Sequence, residues 1–188
     1  MEIPIFAEFP KISRLSRECI VTEKIDGTNG LVHVLEDGSV LAGSKSRYIT
    51  PKEDNFGFAR WVKEHEDELR TLGPGQHHGE WWGLGIQRNY GLTEKRWSLF
   101  QTSRWSDDRD TVKFPVNRPS CCSVVPILFR GLFDTTVINS CLDVLKLNGS
   151  VAAPGFMKPE GIVVIHLASL VMFKKTIEKD EEWKGKNG

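Results

Sequence analysis

Long apolar runs and an excess of charge of one sign are both missing from this sequence. No stretch approaches the roughly 18 apolar residues of a membrane-spanning helix, and residues 1–10 lack the basic and apolar regions of a secretory signal. Lys plus Arg and Asp plus Glu each number 25. We therefore expect neither a membrane protein nor a globally basic nucleic-acid binder, so any nucleic-acid surface must be a local patch.

Cysteine is scarce and lacks metal-ligating spacing. The four cysteines, at positions 19, 121, 122 and 141, form no Cys-x-x-Cys pair and accompany no paired histidine run, which argues against a zinc site. His77 and His78 are adjacent and, on a strand, would point to opposite faces, so we do not expect a shared ion. Reduced thiols are typical of a cytosolic protein. We expect a cytoplasmic monomer with residues 1–188 as a single domain.

Short apolar runs separated by Gly and Pro turns predict an α+β protein. Residues 103–123 are polar and irregular, and the charged tail from residue 178 is predicted to be frayed or helical. Asp134 is a candidate cap for the second predicted helix, which Gly149 ends. The predicted strands are 19–21, 31–34, 40–43, 76–86 with its turn, 97–101, 124–128, 162–165 and 170–173, and the predicted helices are 55–72 and 135–147.

The central segment of the chain is Glu23-Lys24-Ile25-Asp26-Gly27-Thr28-Asn29. It lies between two strand-like runs, and its Asp-Gly pair predicts a hairpin turn with the lysine at one edge. A lysine amine is a nucleophile only when neutral, and burial and nearby cations favour that form. On this segment alone, a solvated lysine at an exposed turn is an equal alternative.

Four further polar clusters follow the lysine segment in order. Each one alone fits a solvated strand end or a surface ion pair, but five ordered motifs rarely coincide by chance. The clusters are Ser44-Lys45-Ser46-Arg47, Gly79-Glu80-x-x-Gly83, Glu160-Gly161 before an apolar run, and Lys174-Lys175 after one.

In this order the five motifs resemble those of the covalent nucleotidyltransferases, which include RNA ligases, DNA ligases and mRNA capping guanylyltransferases. The similarity is closest to ATP-dependent RNA ligases of the phage and RNA-editing type, and it covers residues 20–180. The segments that carry this closer similarity are Thr28-Asn29, 51–57, 85–89 and 125–131.

The resemblance implies an ATP-grasp-like nucleotidyltransferase (adenylylation) domain. It would have two antiparallel sheets, flanking helices, the nucleotide in the groove between the sheets, and no appended C-terminal domain. The implied reaction seals the 5′-phosphate of an RNA to a 3′-hydroxyl. Lys24 is adenylylated by ATP, AMP moves to the 5′-phosphate, and the 3′-hydroxyl displaces it.

The resemblance also implies roles for the basic residues. Lys24 would attack the α-phosphate of ATP, and Lys174 and Lys175 would supply charge at that phosphate. Neighbours on a strand face opposite sides, so we expect only one of these two, Lys174, to reach it. Either Lys45 or Arg47 would contact the ribose or the incoming phosphate, and the register leaves both open.

The remaining implied roles concern the nucleotide and a divalent metal. Glu80 would accept from a ribose hydroxyl, and Glu160, together with Glu80, would hold Mg²⁺ or Mn²⁺ through oxygen ligands. Phe100 would stack on adenine, although plain core packing is its alternative. Glu23 would accept a hydrogen bond from the adenine amino group. Asn29 would also bind the nucleotide.

Two alternatives to an RNA ligase stay open at this point. One is a capping-type guanylyltransferase or a DNA ligase core, against which Glu23 and the Thr28-Asn29 ending favour adenine and RNA. The other is a non-catalytic nucleotide- or RNA-binding module derived from a ligase, for which the retained lysine would be unnecessary.

Overall fold

The structure is a computed structural model that describes residues 5–106, 118–178 and 180. No helix in these ranges is long and apolar enough to cross a membrane. The strands are β1 Glu18–Lys24, β2 Thr28–Val34, β3 Val40–Gly43, β4 Tyr48–Ile49, β5 Gly75–Gly83, β6 Lys95–Leu99, β7 Cys122–Val124, β8 Ile127–Leu132, β9 Gly161–His166 and β10 Val171–Thr176. The helices are α1 Phe58–Glu64, α2 Glu66–Leu69, α3 Thr102–Trp105 and α4 Thr135–Asn148, and a 3-10 turn, Arg70–Leu72, follows α2.

The strands form two sheets. The first sheet has the order β10-β9-β1-β8, and the second has the order β4-β3-β2-β5-β6-β7. This confirms the predicted α+β class with two sheets and few helices. Among the strands of the described ranges, all pairs are antiparallel except β6 with β7, which is parallel, so the second sheet departs from the predicted antiparallel arrangement at that one pair.

The predicted hairpin around Asp26-Gly27 is also wrong. β1 pairs with β8 and β9 in the first sheet, whereas β2 pairs with β3 and β5 in the second. Residues 25–27 therefore carry the chain from one sheet to the other. Five consecutive residues of β1 are buried, as suits a central strand covered on both faces rather than one arm of a hairpin.

Two other predicted elements are interrupted. The predicted helix 55–72 starts only at Phe58. The carboxylate of Asp54, just before it, accepts a hydrogen bond from the backbone N–H of Ala59 (2.7 Å). The helix breaks at His65, whose φ of −107° is not helical. The predicted strand 124–128 is interrupted at residues 125–126, which cross back to the first sheet.

The prediction for α4 is confirmed. The carboxylate of Asp134 accepts from the backbone N–H of Thr136 (2.7 Å), and Gly149 follows the last helical residue with a φ of 82°. Within the predicted irregular stretch 103–123, the structure has part of α3 and the start of β7, while residues 107–117 lie outside the described ranges. Most of the tail after residue 178 also lies outside them.

Three apolar clusters hold these layers together. One packs the second sheet against α1, with Phe58, Trp81 and Trp97 at its centre, and another packs the first sheet against α4. The third, the crossing cluster, lies where the chain passes from one sheet to the other and consists of Ile25, Trp82, Tyr90, Val125 and Ala153. The end of β1 is also hydrogen-bonded to the second crossing, because Glu23 N–H donates to the carbonyl of Pro126 (2.9 Å).

Candidate active site

A cleft of about 630 Å³ lies between the two sheets, a volume typical of nucleotide-sized ligand sites. Both crossings contribute to its lining, through Ile25 and Val125. Seven residues predicted from sequence line it, namely Glu23, Lys24, Asn29, Lys45, Glu80, Phe100 and Lys174.

The lysine of the central segment lines this cleft and forms an ion pair with Glu160, which is not itself among the lining residues. Lys24 ends β1 and stands opposite Gly161, the first residue of β9, so Glu160 is placed directly beside it. Lys24 Nζ lies 2.6 Å from Glu160 Oε2, with the two side chains 24% and 17% exposed. The alternative of a solvated lysine on an exposed turn is therefore wrong, because the amine is partly buried and partnered by a carboxylate 136 residues away.

Glu80 faces the same point from the second sheet. It stands opposite Asn29 in the β2–β5 register, and its Oε1 accepts from the backbone N–H of Gly27 (3.0 Å). Burial raises the pKa of Glu80 to about 7, opposed by the Lys24 ammonium and reinforced by the carboxylates of Glu160 and Asp26. The site thus places one lysine among three carboxylates.

Glu80→Gln is expected to remove a pH-dependent loss of stability. The pKa of Glu80 is raised above its ordinary 4.5, so the folded chain holds a proton that the unfolded chain releases, and folding stability falls as pH rises from 4.5 towards 7. The raised pKa corresponds to about 3 kcal/mol at most. Glutamine keeps an acceptor for Gly27 N–H, so the variant should gain stability relative to the unchanged protein over this range, with a plateau above it.

Urea unfolding at a series of pH values measures this difference. Glu36→Gln, at an exposed turn, is the matched control and should show no such gain. A constant difference between Glu80→Gln and the unchanged protein from pH 4.5 to 8 would contradict the assignment.

Two residues outside the predicted active site hold Asp26 in place. Arg88 Nε donates to Asp26 Oδ2 (2.9 Å), and Arg88 Nη1 donates to the carbonyl of Lys158 (3.1 Å), two residues before Glu160. The hydroxyl of Tyr90 accepts from Asp26 N–H (2.8 Å). Arg88 thereby ties the segment that carries Lys24 to the segment that carries Glu160. Arg88 lies in segment 85–89, which carries part of the family similarity, but nothing in the sequence indicated that Asp26 would be its partner.

The walls of the cleft differ in character. The second sheet contributes Phe100, which follows β6 and packs partly against the crossing cluster. The first sheet contributes Val163 and Ile165 of β9, with Met172 of β10 beside them. A flat apolar group between the walls would contact an aromatic ring on one side and branched aliphatic chains on the other. Trp82, in the crossing cluster, is 1% exposed.

The structure distinguishes between the paired cations. Lys174 lines both the cleft and a separate groove beside α4, whereas Lys175, its neighbour on β10, lines that groove and is not among the residues that line the cleft. Lys45 also lines the cleft. Arg47 is outside the described lining of the cleft and lies 3.7 Å from the carboxylate of Glu53 on the surface. Lys174 and Lys45 are therefore the two of these four cations that line the cleft.

The carboxylate of Glu23 is largely engaged by protein groups. It accepts from the hydroxyl of Ser150 (2.6 Å) and from the backbone N–H groups of Val151 (2.8 Å) and Ala152 (2.9 Å). Burial raises the pKa of Glu23, and these three hydrogen bonds oppose the rise. The contacts tie β1 to the turn after α4, which is a structural role; acceptance from adenine stays a prediction.

No three His, Cys, Asp or Glu side chains form a metal-binding group within the described ranges. Magnesium commonly uses only one or two carboxylates together with substrate phosphates. Glu160 and Glu80, which both interact electrostatically with Lys24, fit that smaller ligand set.

The fold resembles that of solved RNA ligases. A lysine-to-alanine variant of Naegleria gruberi RNA ligase with ATP and Mn aligns at 21% identity with a TM-score of 0.62, covering 86% of this chain and 50% of that one. A glutamate-to-alanine variant of the same ligase with AMP and Mn aligns at 20% identity with a TM-score of 0.62, covering 93% and 57%.

This chain spans about half the length of those ligases. A model of the RNA ligase family matches residues 17–176, a range that contains both sheets, the cleft and the Lys24–Glu160 pair. The chain belongs to the RNA ligase family.

Proposed function

We propose that this chain is an ATP-dependent RNA ligase that joins a 5′-phosphate to a 3′-hydroxyl through a lysyl-AMP intermediate. The observation that carries the proposal is the partly buried Lys24 amine, held 2.6 Å from Glu160 on the wall of the cleft between the sheets. A pure binding module has no need for a nucleophile at this position. Membership of the RNA ligase family supports the same reaction.

ATP would bind in the cleft with its base between Phe100 and the aliphatic residues of β9. Stacking on an aromatic ring tolerates any base, so discrimination for adenine needs a polar contact, for which Glu23 is our candidate. Asn29 and Glu80 face each other across β2 and β5, where they would contact the ribose hydroxyls.

In the first step, the Lys24 ammonium releases a proton to solvent and its ion pair with Glu160 opens. The nitrogen lone pair then attacks the α-phosphorus, a P–N bond forms, and the P–O bond to pyrophosphate breaks. Phosphoryl transfer depends mainly on positioning and charge neutralisation. The ammonium groups of Lys174 and Lys45, both on the cleft lining, would supply positive charge to the phosphates.

Glu160, with Glu80 nearby, would hold Mg²⁺ or Mn²⁺. Two Naegleria ligase structures contain Mn with ATP or AMP. A bound divalent ion would neutralise charge on the phosphate that reacts with Lys24.

The later steps use RNA as the acceptor. An oxygen of the RNA 5′-phosphate attacks the phosphorus of lysyl-AMP, which releases Lys24 and forms an RNA-adenylate. The RNA 3′-hydroxyl then attacks the 5′-phosphate and AMP leaves. Lys45 and Lys174 are exposed as well as cleft-lining, so they are placed to meet a phosphate that enters from solvent.

The proposal is tested by incubating the protein with ATP labelled at the α-phosphate and with Mg²⁺ or Mn²⁺. We expect label on the denatured protein, little label from GTP, and transfer of the label to 5′-phosphorylated RNA. Preferential labelling by GTP would favour a capping-type enzyme. A folded protein that binds ATP without retaining label would overturn the ligase proposal in favour of a binding module.

Arg88→Lys should slow lysine adenylylation more than it weakens ATP binding. Arg88 acts through Asp26 and the Lys158 carbonyl, and lysine cannot span both acceptors with one planar group. Misplacement of reacting groups by about 1 Å can cost on the order of 10²-fold in rate. Single-turnover labelling over a range of ATP concentrations separates rate from affinity.

Arg96→Lys is the matched control, since Arg96 pairs with Glu94 on the surface, and its labelling should match that of the unchanged protein. If Arg88→Lys loses affinity but keeps its maximal rate, Arg88 contacts the nucleotide and is not a positioning residue.

A further inference from the structure

Two neighbouring thiols stand together at the start of β7, away from Lys24 and the other residues proposed to act in ligation. Cys121 Sγ and Cys122 Sγ are 3.7 Å apart. Cys122 is 5% exposed and packs in the core of the second sheet, whereas Cys121 is partly exposed. All four cysteines of the chain are free thiols.

The backbone explains why the two sulfurs meet. Adjacent side chains on a regular strand point to opposite faces, but Cys121 lies in the turn before β7, where Cys122 N–H donates to the carbonyl of Pro119 (3.0 Å). The turn brings the two sulfurs into contact, and Cys121 is the more exposed of the two residues.

The spacing suits one bridging atom better than a disulfide. Tetrahedral bonds of about 2.3 Å would place two sulfurs about 3.8 Å apart, and the smaller bond angles of a pyramidal trivalent centre place them somewhat closer, so a small approach from the observed 3.7 Å lets one atom bridge them. A disulfide usually spans Cα atoms 4.4–6.8 Å apart, whereas adjacent Cα atoms are only about 3.8 Å apart.

The two thiols also differ in reactivity. A hydrogen bond with Cys122 lowers the pKa of the Cys121 thiol, while that same contact and burial raise the pKa of Cys122. The thiolate is the reactive form, so the accessible sulfur reacts first and the buried one closes the bridge.

We propose that Cys121 and Cys122 form a dithiol site that binds one soft, thiophilic centre, with trivalent arsenic as the best-suited occupant. With an organic arsenoxide, each sulfur forms one bond to arsenic and the arsenic–oxygen bonds break. The two thiol protons leave with that oxygen as water. Arsenic stays trivalent, so the step requires no oxidant or reductant.

The site is connected to the cleft through β7. Ser123 Oγ and Ser98 Oγ share a hydrogen bond (2.7 Å), and Ser98 Oγ accepts from Trp82 Nε1 (2.8 Å). Val125, three residues after Cys122, lines the cleft. An occupant at the dithiol would therefore adjoin a strand that supports the cleft wall.

The experiment treats the folded protein with equimolar phenylarsine oxide and measures intact mass under non-denaturing conditions. We expect one arsenical per chain, stable to excess monothiol and removed by a small dithiol. Cys121→Ser and Cys122→Ala should each abolish the monothiol-resistant adduct, whereas Cys19→Ser with Cys141→Ser should retain it.

Circular dichroism of each variant shows whether it is folded, and Cys121→Ser changes the more exposed position if Cys122→Ala fails to fold. An adduct that persists in Cys121→Ser would overturn the proposal. An adduct that forms only on the denatured protein would overturn it as well. The readout is a mass, so it is independent of whether the chain ligates RNA.

Discussion

Lys24→Ala should leave no AMP attached to the protein after incubation with ATP and a divalent metal. The side chain supplies the only nitrogen that we propose to attack the α-phosphorus, and loss of a catalytic nucleophile lowers rates by at least about 10³-fold. The remaining partner, Glu160, is 17% exposed and can be hydrated, so we expect the fold to survive. Gel detection of protein-bound label measures the loss.

The control variants separate chemistry from folding. Lys24→Arg keeps a cation beside Glu160 but should also fail to label, whereas Lys63→Ala, at an exposed position of α1 paired with Glu66, should label normally. RNA that is adenylylated beforehand already carries its activated phosphate, so Lys24→Ala should still join it. Label on Lys24→Ala would show that another residue is the nucleophile.

Gly27→Ala should destabilise the fold at the junction between the sheets. A Cβ at this position would lie 2.4 Å from the carbonyl oxygen of Trp81 and 2.7 Å from Cβ of Trp82. The first contact involves backbone of β5 and cannot be relieved by a side-chain rotation. Overpacking of this kind costs about 2–3 kcal/mol, which for a chain of this size lowers the melting temperature by roughly 4–12 °C.

Thermal unfolding of Gly27→Ala is best compared with that of Gly38→Ala. A Cβ at Gly38 meets no atom within 4 Å, but φ there is 83°, so the cost is the conformational one of about 1 kcal/mol. Gly27→Ala should melt at the lower temperature. Equal melting temperatures for the two variants would mean that the Trp81 carbonyl moves away easily.

Local signals predicted local structure well. Asp134 and Gly149 bound α4 because capping is decided within a few residues. The pairing of β1 was not predictable in this way, since an Asp-Gly pair between two strands fits a hairpin and a crossing equally. Its actual partners, β8 and β9, come more than 100 residues later.

The candidate active site shows the same difference between local signals, which the sequence reveals, and long-range contacts, which it does not. The ordered motifs predicted Lys24, Glu80 and Glu160, and the structure brings these three together. Arg88 and Tyr90 were missed because their contacts with Asp26 span more than 60 residues. Adjacent Cys121 and Cys122 also lacked a ligand-like spacing, and only the turn before β7 brings their sulfurs together.

The two chain crossings would serve as the axis of any rotation of one sheet relative to the other, because the chain passes between the sheets at these places. Ile25 of the first crossing and Val125 of the second belong to the same apolar cluster, and the Glu23–Pro126 hydrogen bond joins the end of β1 to the second crossing. In a rigid-body rotation, displacement grows with the length of the lever arm from the axis. Lys24 adjoins one crossing, so its lever arm is short. A rotation that widened the cleft for a polynucleotide end would leave the nucleophile nearly stationary.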